Sequence, residues 1–240
     1  MCGRFVSARK RQELLAEFAV ERDRTPEDKP ADYNVAPTKQ IYAVMDRTEP
    51  DAEKPERELR LVKWGLVPFW AKDAKGGARM INARAETIAS KPAFRAAFAK
   101  RRCIIPADGY YEWRTEGKAK LPFYIHPGDD GVMAFAGIYE LWRPKDDDGD
   151  FLWTASIITT DATDDLGRIH DRMPMLVSPD QWADWLDPGN SDTKHLIATM
   201  LPAVPDAAGG LTSYPVSTAV NSVRNNGPTL VEPESGTAGG

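Results

Sequence analysis

The sequence is poor in the residues that build metal sites and disulfide frameworks. It has two cysteines, Cys2 and Cys103, and three widely spaced histidines, His126, His170 and His195. Two cysteines cannot form a disulfide framework, and this set is a poor structural zinc site. No apolar run approaches the ~20 residues that a membrane-spanning helix needs, and the N-terminus lacks an apolar signal-peptide core. These absences favour a cytoplasmic protein without a metal cofactor.

The composition that remains fits one folded unit. Hydrophobic residues make up 42 % and charged residues 28 % of the 240 residues, which is ordinary for a globular protein. We predict a single domain over residues 1–231, because no stretch has the composition of a linker between two folding units. Residues 232–240 are rich in proline, serine, threonine and glycine and have no apolar anchor. We predict that this tail is disordered.

The net charge of −5 hides an asymmetry along the chain. Between Lys63 and Arg102, ten basic residues stand against two acidic ones, so this segment carries +8 and the rest of the chain −13. Such a segment is typical either of a solvated helix face or of a surface that contacts phosphates. Composition alone leaves both interpretations open.

Strand patterns dominate the middle of the chain, and helical patterns are fewer. The predicted strands are Ile41–Met45, Glu58–Leu66, Cys103–Ile105, Tyr110–Arg114, Phe123–His126, Val132–Tyr139 and Leu152–Thr160. The predicted helices are Ala8–Ala19 after a Ser7 cap, Lys91–Lys100, Pro179–Leu186 after a Ser178 cap, and Thr193–Met200. Successive strands with peripheral helices predict an α+β domain with a mixed or antiparallel, barrel-like β core.

Cys2 directly follows Met1. Because an initiator methionine is normally removed when the next residue is small, we expect the mature chain to begin with cysteine. Its α-amine has a reference pKa of ~7.7–8.0 beside a thiol of ~8.5, so both groups are partly nucleophilic near neutral pH. The thiolate can attack an amide with the amine as base, or the amine can condense with an aldehyde and the thiol can close a thiazolidine. A purely structural cysteine is the third interpretation.

Polar residues in apolar surroundings mark the candidate chemistry. Asn82, Arg84 and Glu86 alternate along the chain, so in an extended strand their side chains would point the same way. Glu112 lies between aromatic residues in a predicted strand, where burial would raise its pKa toward acid–base use. His170 supplies a titratable imidazole close to a guanidinium.

Six separated motifs occur in a fixed order: MCGRF, YNVAPT, WGLVPFW, INARAET, ADGYYEW and IHDRMP. Together they resemble the SRAP family, the "SOS response-associated peptidase" proteins that shield abasic sites in single-stranded DNA, from Met1 to about Val231. The resemblance implies an SRAP-like domain whose partner is single-stranded DNA containing abasic sites, with no cofactor. We expect a monomer in the cytoplasm that associates with the nucleoid when it is bound to DNA.

The resemblance also implies a catalytic set, whose expected members are Cys2, Asn82, Glu112 and His170. The amine and sulfur of Cys2 would trap the open-chain aldehyde of the abasic sugar as a thiazolidine crosslink. Asn82 would hold the sugar oxygens or the Cys2 amine, and Glu112 would transfer protons at the amine or thiol. His170 would protonate the ring oxygen of the sugar, which favours the open aldehyde.

A second set of residues is expected to bind the DNA. Its members are Arg4, Asn34, Pro37, Trp70, Arg84, Thr159 and Arg172. The arginines would contact phosphates, for which a guanidinium is well shaped. Pro37 and Trp70 would flank the flipped-out site, and either Trp70 or Phe69 would stack on a base. Asn34 and Thr159 would line the same pocket.

Two other functions fit parts of the sequence. A non-covalent single-strand binding module would use the basic and aromatic residues but give Cys2 no chemical role. An N-terminal-nucleophile amidohydrolase or peptidase would use the Cys2 thiolate against an amide; class II glutamine amidotransferases also begin Met-Cys-Gly. The other motifs do not match that family. The sequence also leaves open whether a covalent adduct would reverse.

Overall fold

A computed structural model describes residues 2–234, apart from the side chains of residues 164, 165, 202, 203, 205 and 206. The strands are β1 (Phe5–Ser7), β2 (Arg22–Asp23), β3 (Asp32–Val35), β4 (Gln40–Arg47), β5 (Glu56–Trp64), β6 (Asn82–Arg84), β7 (Arg102–Ala107), β8 (Gly109–Glu116), β9 (Ala119–Pro127), β10 (Met133–Trp142), β11 (Leu152–Asp161), β12 (Arg172–Pro174) and β13 (Leu211–Pro215). The α-helices are α1 (Arg11–Glu17), α2 (Arg95–Lys100), α3 (Trp182–Leu186) and α4 (Thr193–Ala208), and short 3₁₀ turns lie between several elements.

The larger sheet is mixed and curves toward a ring. Its strands follow the order β12-β11-β10-β7-β4-β5-β2. β5 also pairs in parallel with β11, with Trp64 opposite Ala155, so the sheet is ring-like without closing into a complete barrel. β6 pairs with β11 further along, with Asn82 opposite Ile157. The predicted α+β fold with a barrel-like mixed core is confirmed in this form.

The smaller sheet brings the N-terminus into the centre of the molecule. It is antiparallel, in the order β13-β9-β8-β1-β3. Phe5 of β1 lies opposite Tyr110 of β8, and its ring meets those of Trp64 and Phe135 edge-on, with centroids 5.2 and 6.0 Å apart. Edge-to-face aromatic pairs add stability beyond the area they bury. Cys2, three residues before Phe5, is therefore held against the core of the larger sheet.

The helices lie at the periphery. α1, α2 and α3 begin later than predicted, whereas α4 begins at the predicted Thr193 and extends beyond the predicted Met200 to Ala208. α1 begins after Lys10, whose backbone N–H donates to the Glu13 carboxylate at 2.8 Å. The predicted Ser7 cap is wrong, because Ser7 ends β1. Ser178 does precede a short helical turn that leads into α3. The indole of Trp185 in α3 is buried and donates to the carbonyl of Cys103 at 2.9 Å.

The seven predicted strands all occur, within a few residues of their expected ends. The sequence analysis missed six strands, β1, β2, β3, β6, β12 and β13, because two to five residues are too few to establish an alternating pattern. The expected common direction of Asn82, Arg84 and Glu86 is wrong for Glu86. β6 ends at Arg84, and a 3₁₀ turn follows over Ala85–Thr87.

The C-terminal segment packs back onto the smaller sheet as far as Glu234. Pro233 forms an isolated bridge with Val216, and the Glu234 N–H donates to the Pro215 carbonyl at 3.0 Å. Residues 232–234 of the tail that we predicted to be disordered thus make backbone contacts. Residues 235–240 lie outside the described residues.

Candidate active site and nucleic-acid interface

The four expected catalytic residues come from four separate parts of the chain. Cys2 precedes β1, Asn82 begins β6, Glu112 lies in β8 and His170 precedes β12. The pairing of β1 with β8, and of β6 and β12 with β11, draws these segments together. The first pairing lies in the smaller sheet and the others in the larger sheet; the Asn82–Cys2 hydrogen bond and the cleft shared by Glu112 and His170 join the two sets.

Cys2 is fully buried and fixed by Asn82. The Asn82 Nδ2 donates to the Cys2 carbonyl at 2.8 Å. Burial and the nearby Glu112 carboxylate raise the pKa of the Cys2 thiol. A hydrogen bond from the Arg4 backbone N–H to the sulfur offsets only part of this rise. The thiol is therefore protonated near neutral pH and needs a base before it can attack. Among the described residues, no donor bonds the buried Oδ1 of Asn82.

Glu112 is a buried acid–base group close to this thiol. Its side chain is 3 % exposed within β8. Burial raises the pKa of Glu112, and the nearby His170 opposes that rise. The predicted desolvation of this carboxyl is thus confirmed. Its strand neighbours explain the burial, because Tyr110 and Tyr111 are themselves inside the protein.

Glu112 and His170 line a cleft of about 500 Å³. The other lining residues are Arg4, Trp113, Thr115, Lys120 and Asn221. Arg4 stacks over the Trp113 ring, with the guanidinium carbon 5.8 Å from the ring centroid, and the Trp113 indole donates to Asn221 at 2.7 Å. The sequence analysis did not select Trp113, Thr115, Lys120 or Asn221. The EW pair in ADGYYEW was the one available signal, for Trp113.

His170 has two alternative partners at one nitrogen. The Arg172 backbone N–H lies 3.0 Å from Nδ1, and the Asp171 Oδ1 lies 2.8 Å from the same atom. The N–H requires an unprotonated Nδ1, whereas the carboxylate requires a proton on that nitrogen, so the two contacts suit different positions of the ring proton. His170 therefore has a partner at Nδ1 with or without a proton on that atom.

Arg4 and Asn34 tie the C-terminal segment to the site. The Arg4 Nη1 donates to Asn34 Oδ1 at 2.7 Å and to the Val220 carbonyl at 2.8 Å. Asn34 is fully buried, and its Nδ2 donates to the carbonyls of Ser222 and Asn225 at 3.0 and 2.9 Å. Asn34 thus orients Arg4 from within the protein. It does not line the cleft, although the sequence analysis expects it to line the pocket.

Arg172 and Thr159 also lie beneath the surface. The Arg172 guanidinium makes two bonds to Glu86, at 2.8 and 3.1 Å, and one to Asp161 at 2.6 Å. Burial alone would lower the pKa of Arg172, but these carboxylates outweigh it and raise that pKa. Thr159 is fully buried, and its carbonyl accepts from Arg172 at 2.6 Å.

The remaining expected DNA-binding residues face solvent. Arg84 is exposed at the end of β6, and Pro37 is half-buried after β3. Phe69 and Trp70 are 59 % and 53 % exposed, which is unusual for large apolar rings. Both rings are therefore accessible for stacking.

Two other features of the described residues bear on function. Among the side chains that the structure describes, there is no group of three or more His, Cys, Asp or Glu that could hold a metal ion. The part of the chain that is described also contains no helix long and apolar enough to cross a bilayer. The expected absence of a metal cofactor stays a prediction.

These features define a class of protein. It has a mixed, ring-like α+β domain and a buried cysteine next to its N-terminus, and a buried carboxyl and an imidazole share one cleft. The family profile described as "SOS response associated peptidase (SRAP)" matches residues 1–223. The chain belongs to the SRAP family, and the expected family assignment is confirmed.

Named relatives match over nearly the whole chain. The abasic site processing proteins YoaM and YoqW of Bacillus subtilis are 39 % and 38 % identical, over 98 % and 97 % of this chain and 99 % of each relative. The abasic site processing protein HMCES of Gallus gallus is 33 % identical over 84 % of this chain and 66 % of its own length. A crystal structure of a Bacteroides thetaiotaomicron protein superposes with a TM-score of 0.75 at 27 % identity, covering 97 % of this chain and all of that one.

Proposed function

We propose that this protein recognises abasic sites in single-stranded DNA and shields them through a covalent crosslink to Cys2 after Met1 is removed. The observation that carries the proposal is the convergence on Cys2 of an amide, Asn82, and a buried carboxyl, Glu112, beside His170. An abasic deoxyribose in its open form presents an aldehyde, and an N-terminal cysteine presents the amine and thiol that trap it. Abasic site processing is also the activity in the names of the relatives.

The proposed reaction balances without a cofactor. The Cys2 amine adds to C1′ of the open-chain sugar, and the resulting carbinolamine loses one water to form an imine. The thiol then adds across the C=N bond: sulfur bonds to C1′, and the thiol proton ends on the nitrogen. The product is a thiazolidine, and the whole sequence releases one molecule of water.

Glu112 and His170 divide the proton transfers. Because the pKa of the Cys2 thiol is raised, its proton must be removed as sulfur attacks, and the adjacent Glu112 carboxylate can accept it. The raised pKa of Glu112 keeps the acid form available to protonate the leaving hydroxyl of the carbinolamine. We assign to His170 the protonation of the sugar ring oxygen, which opens the ring. The Asn82 Oδ1 is left to accept from the new amine or from a sugar hydroxyl.

We assign direct DNA contacts to those expected binding residues whose side chains are accessible to solvent. Arg84 and Arg4 would contact phosphates, and Trp70 with Pro37 would flank the extruded sugar. Arg172, Thr159 and Asn34 would support these residues from beneath, since their polar groups already have protein partners. We propose that the protein acts as a monomer in the cytoplasm and associates with the nucleoid when it is bound to DNA.

A denaturing gel tests the covalent step. Purified protein is incubated with a labelled single-stranded oligonucleotide that carries one abasic site. We expect a slow-migrating adduct with the unaltered protein and with Cys103→Ala, which removes the buried cysteine of β7, and none with Cys2→Ala. Glu112→Gln and His170→Ala should slow the adduct over time.

Other outcomes assign the protein differently. Equal affinity for intact and abasic strands, with no adduct, would identify a non-covalent binding module. Glutaminase activity that is lost in Cys2→Ala would identify an amidohydrolase instead. Addition of excess unlabelled abasic DNA to the preformed adduct measures whether the crosslink reverses.

A further inference from the structure

The basic segment Lys63–Arg102 contains a compact loop, residues 65–81, between β5 and β6. Its two ends meet at a pair of glycines. Gly65 has φ +128°, and a Cβ at Gly77 would lie 2.7 Å from the Gly65 carbonyl oxygen and 2.8 Å from Val67. Only glycine fits such an approach without displacement. The Leu66 N–H closes the same neck by donating to the Met80 carbonyl at 3.1 Å.

Side chains of β10 and β11 hold the loop from below. The Val67 N–H donates to Thr154 Oγ1 at 3.0 Å, and the Trp142 indole donates to the Ala71 carbonyl at 2.8 Å. These bonds bracket the two exposed rings on both sides. The loop is therefore preformed, which lowers the entropic cost of binding a ligand.

The cations of this loop lack carboxylate partners among the described side chains. Lys72, Lys75 and Arg79 are exposed, and none makes an ion pair among the described residues. The single acidic residue of the loop, Asp73, caps the 3₁₀ turn by accepting from the Lys75 N–H at 2.9 Å. Elsewhere in the chain, ion pairs with carboxylates are common among the arginines, as for Arg57 with Asp46 at 2.9 Å.

We propose that the 65–81 loop is a preformed binding surface for the undamaged single-stranded DNA beside the lesion. Lys72, Lys75 and Arg79 contact its phosphates, next to the rings of the loop. Exposed rings and unpaired cations on a rigid support are the combination that binds single strands without reading their sequence. The inference rests on the proposed function for its choice of DNA, but this surface binds without any chemistry at Cys2.

The test uses intact DNA, so that the crosslink cannot contribute. The affinity of the full chain for a labelled, unmodified oligothymidine is measured by fluorescence anisotropy over a range of salt concentrations. The loop variant combines Lys72→Glu, Lys75→Glu and Arg79→Glu. The matched control, Lys54→Glu with Lys145→Glu and Lys194→Glu, changes the net charge equally at exposed lysines outside the loop. A third protein with glutamine at the three loop positions removes the charges without reversing them.

We expect the loop variant to bind at least ~10-fold more weakly at low salt, while the control stays within about twofold of the unaltered protein. The slope of log affinity against log salt should become shallower by about two in the glutamine variant, at ~0.7 for each lost phosphate contact. Melting temperatures check that all variants fold.

Equal losses in the loop variant and the control would overturn the inference, because net charge would then explain them. No loss in a folded loop variant would overturn it as well. In either case, an adduct between the unaltered protein and an abasic strand would leave the proposed function standing. Conversely, if no adduct forms but the loop variant alone loses affinity for intact DNA, the surface is retained and the covalent function fails.

Discussion

Two regions of this molecule use the same residue types in opposite ways. At the β4–β5 edge, Arg24, Arg47 and Arg60 all lie within 3.6 Å of the buried carboxylate of Glu58. In the 65–81 loop, the cations are exposed and make no ion pair with a described residue. In the first region the cations are paired with a carboxylate of the protein, whereas in the second they are available to a ligand. Pairing, and not the number of arginines and lysines, therefore separates a structural cluster from a binding surface.

Two buried carboxyl groups, Glu58 at the β4–β5 edge and Glu112 in the cleft, show a similar contrast. Glu58 lies among three guanidiniums, and two of them stack on the Trp153 ring, at 4.1 Å for Arg60 and 4.8 Å for Arg47. Burial raises the pKa of Glu112, and its titratable neighbours include Cys2 and His170. Three guanidiniums surround the carboxyl of Glu58, whereas burial favours the protonated form of Glu112.

The largest effect should come from removing the anion of the structural cluster. Glu58→Ala leaves three guanidiniums without their shared partner, and we expect a loss of ~3–5 kcal/mol in the free energy of unfolding. Affinity for single-stranded DNA should not change. Urea denaturation measures the loss, and Glu116→Ala, at an exposed pair with Arg114, is the control at under ~1 kcal/mol. A loss below ~1 kcal/mol for Glu58→Ala would remove the distinction between the two regions.

Asn34→Ala should have the next largest effect. It removes the amide that binds the carbonyls of residues 222 and 225 and orients Arg4. We expect ~2–3 kcal/mol of lost stability from the buried groups left unsatisfied, together with weaker DNA binding as Arg4 is released. Asn226→Ala, whose amide bonds are exposed, is the matched control. A similar loss in both variants would mean that Asn34 has no special role.

The exposed rings of the 65–81 loop provide a sharper test of the binding region. Trp70→Ala should lower affinity for single-stranded DNA by ~1–3 kcal/mol without lowering the melting temperature. Phe69→Ala, measured alongside, determines which ring stacks. Phe151→Ala removes another exposed ring, in the loop between β10 and β11, and should leave affinity unchanged. Loss of affinity in Phe151→Ala as well would indicate non-specific adhesion of apolar rings.

The smallest effect concerns the pH dependence of stability. Because the folded pKa of Glu112 is raised, the folded chain holds its proton more tightly than the unfolded chain. The protonated group therefore favours folding at acid pH, and this contribution is lost as pH rises from the ordinary glutamate pKa to the raised value. Glu112→Gln should flatten that part of the stability–pH curve, measured by melting temperature from pH 4 to 8. An unchanged curve would contradict the raised pKa.

The sequence predicted the framework better than the pairing of side chains. Runs of β-branched and aromatic residues bounded by turn residues identified every long strand, and the aromatic flanks of Glu112 correctly indicated its burial. Local patterns cannot reveal partners that are distant along the chain. Arg172 meets Glu86 across 86 positions, and Arg4 meets Val220 across 216. Which cations are paired, and which remain open, therefore becomes visible only in the folded chain.

The same limit explains the residues of the cleft that were missed. Lys120 and Asn221 carry no local signal, because they reach the cleft through the β8–β9 pairing and through the C-terminal segment. Asn34 shows the reverse case: it occurs in a family motif, yet its amide fastens backbone carbonyls inside the protein. A motif thus identifies a residue with a role, but it does not show whether that residue faces the ligand or supports the site from within the protein.

The most direct test of the account is the intact mass of the species formed with an abasic single strand. We predict one covalent complex whose mass equals the chain without Met1 plus the oligonucleotide minus one water, the stoichiometry of a thiazolidine. A complex that retains Met1, or a mixture in which protein and baseless strand are detected only separately, would contradict covalent capture by the N-terminal cysteine.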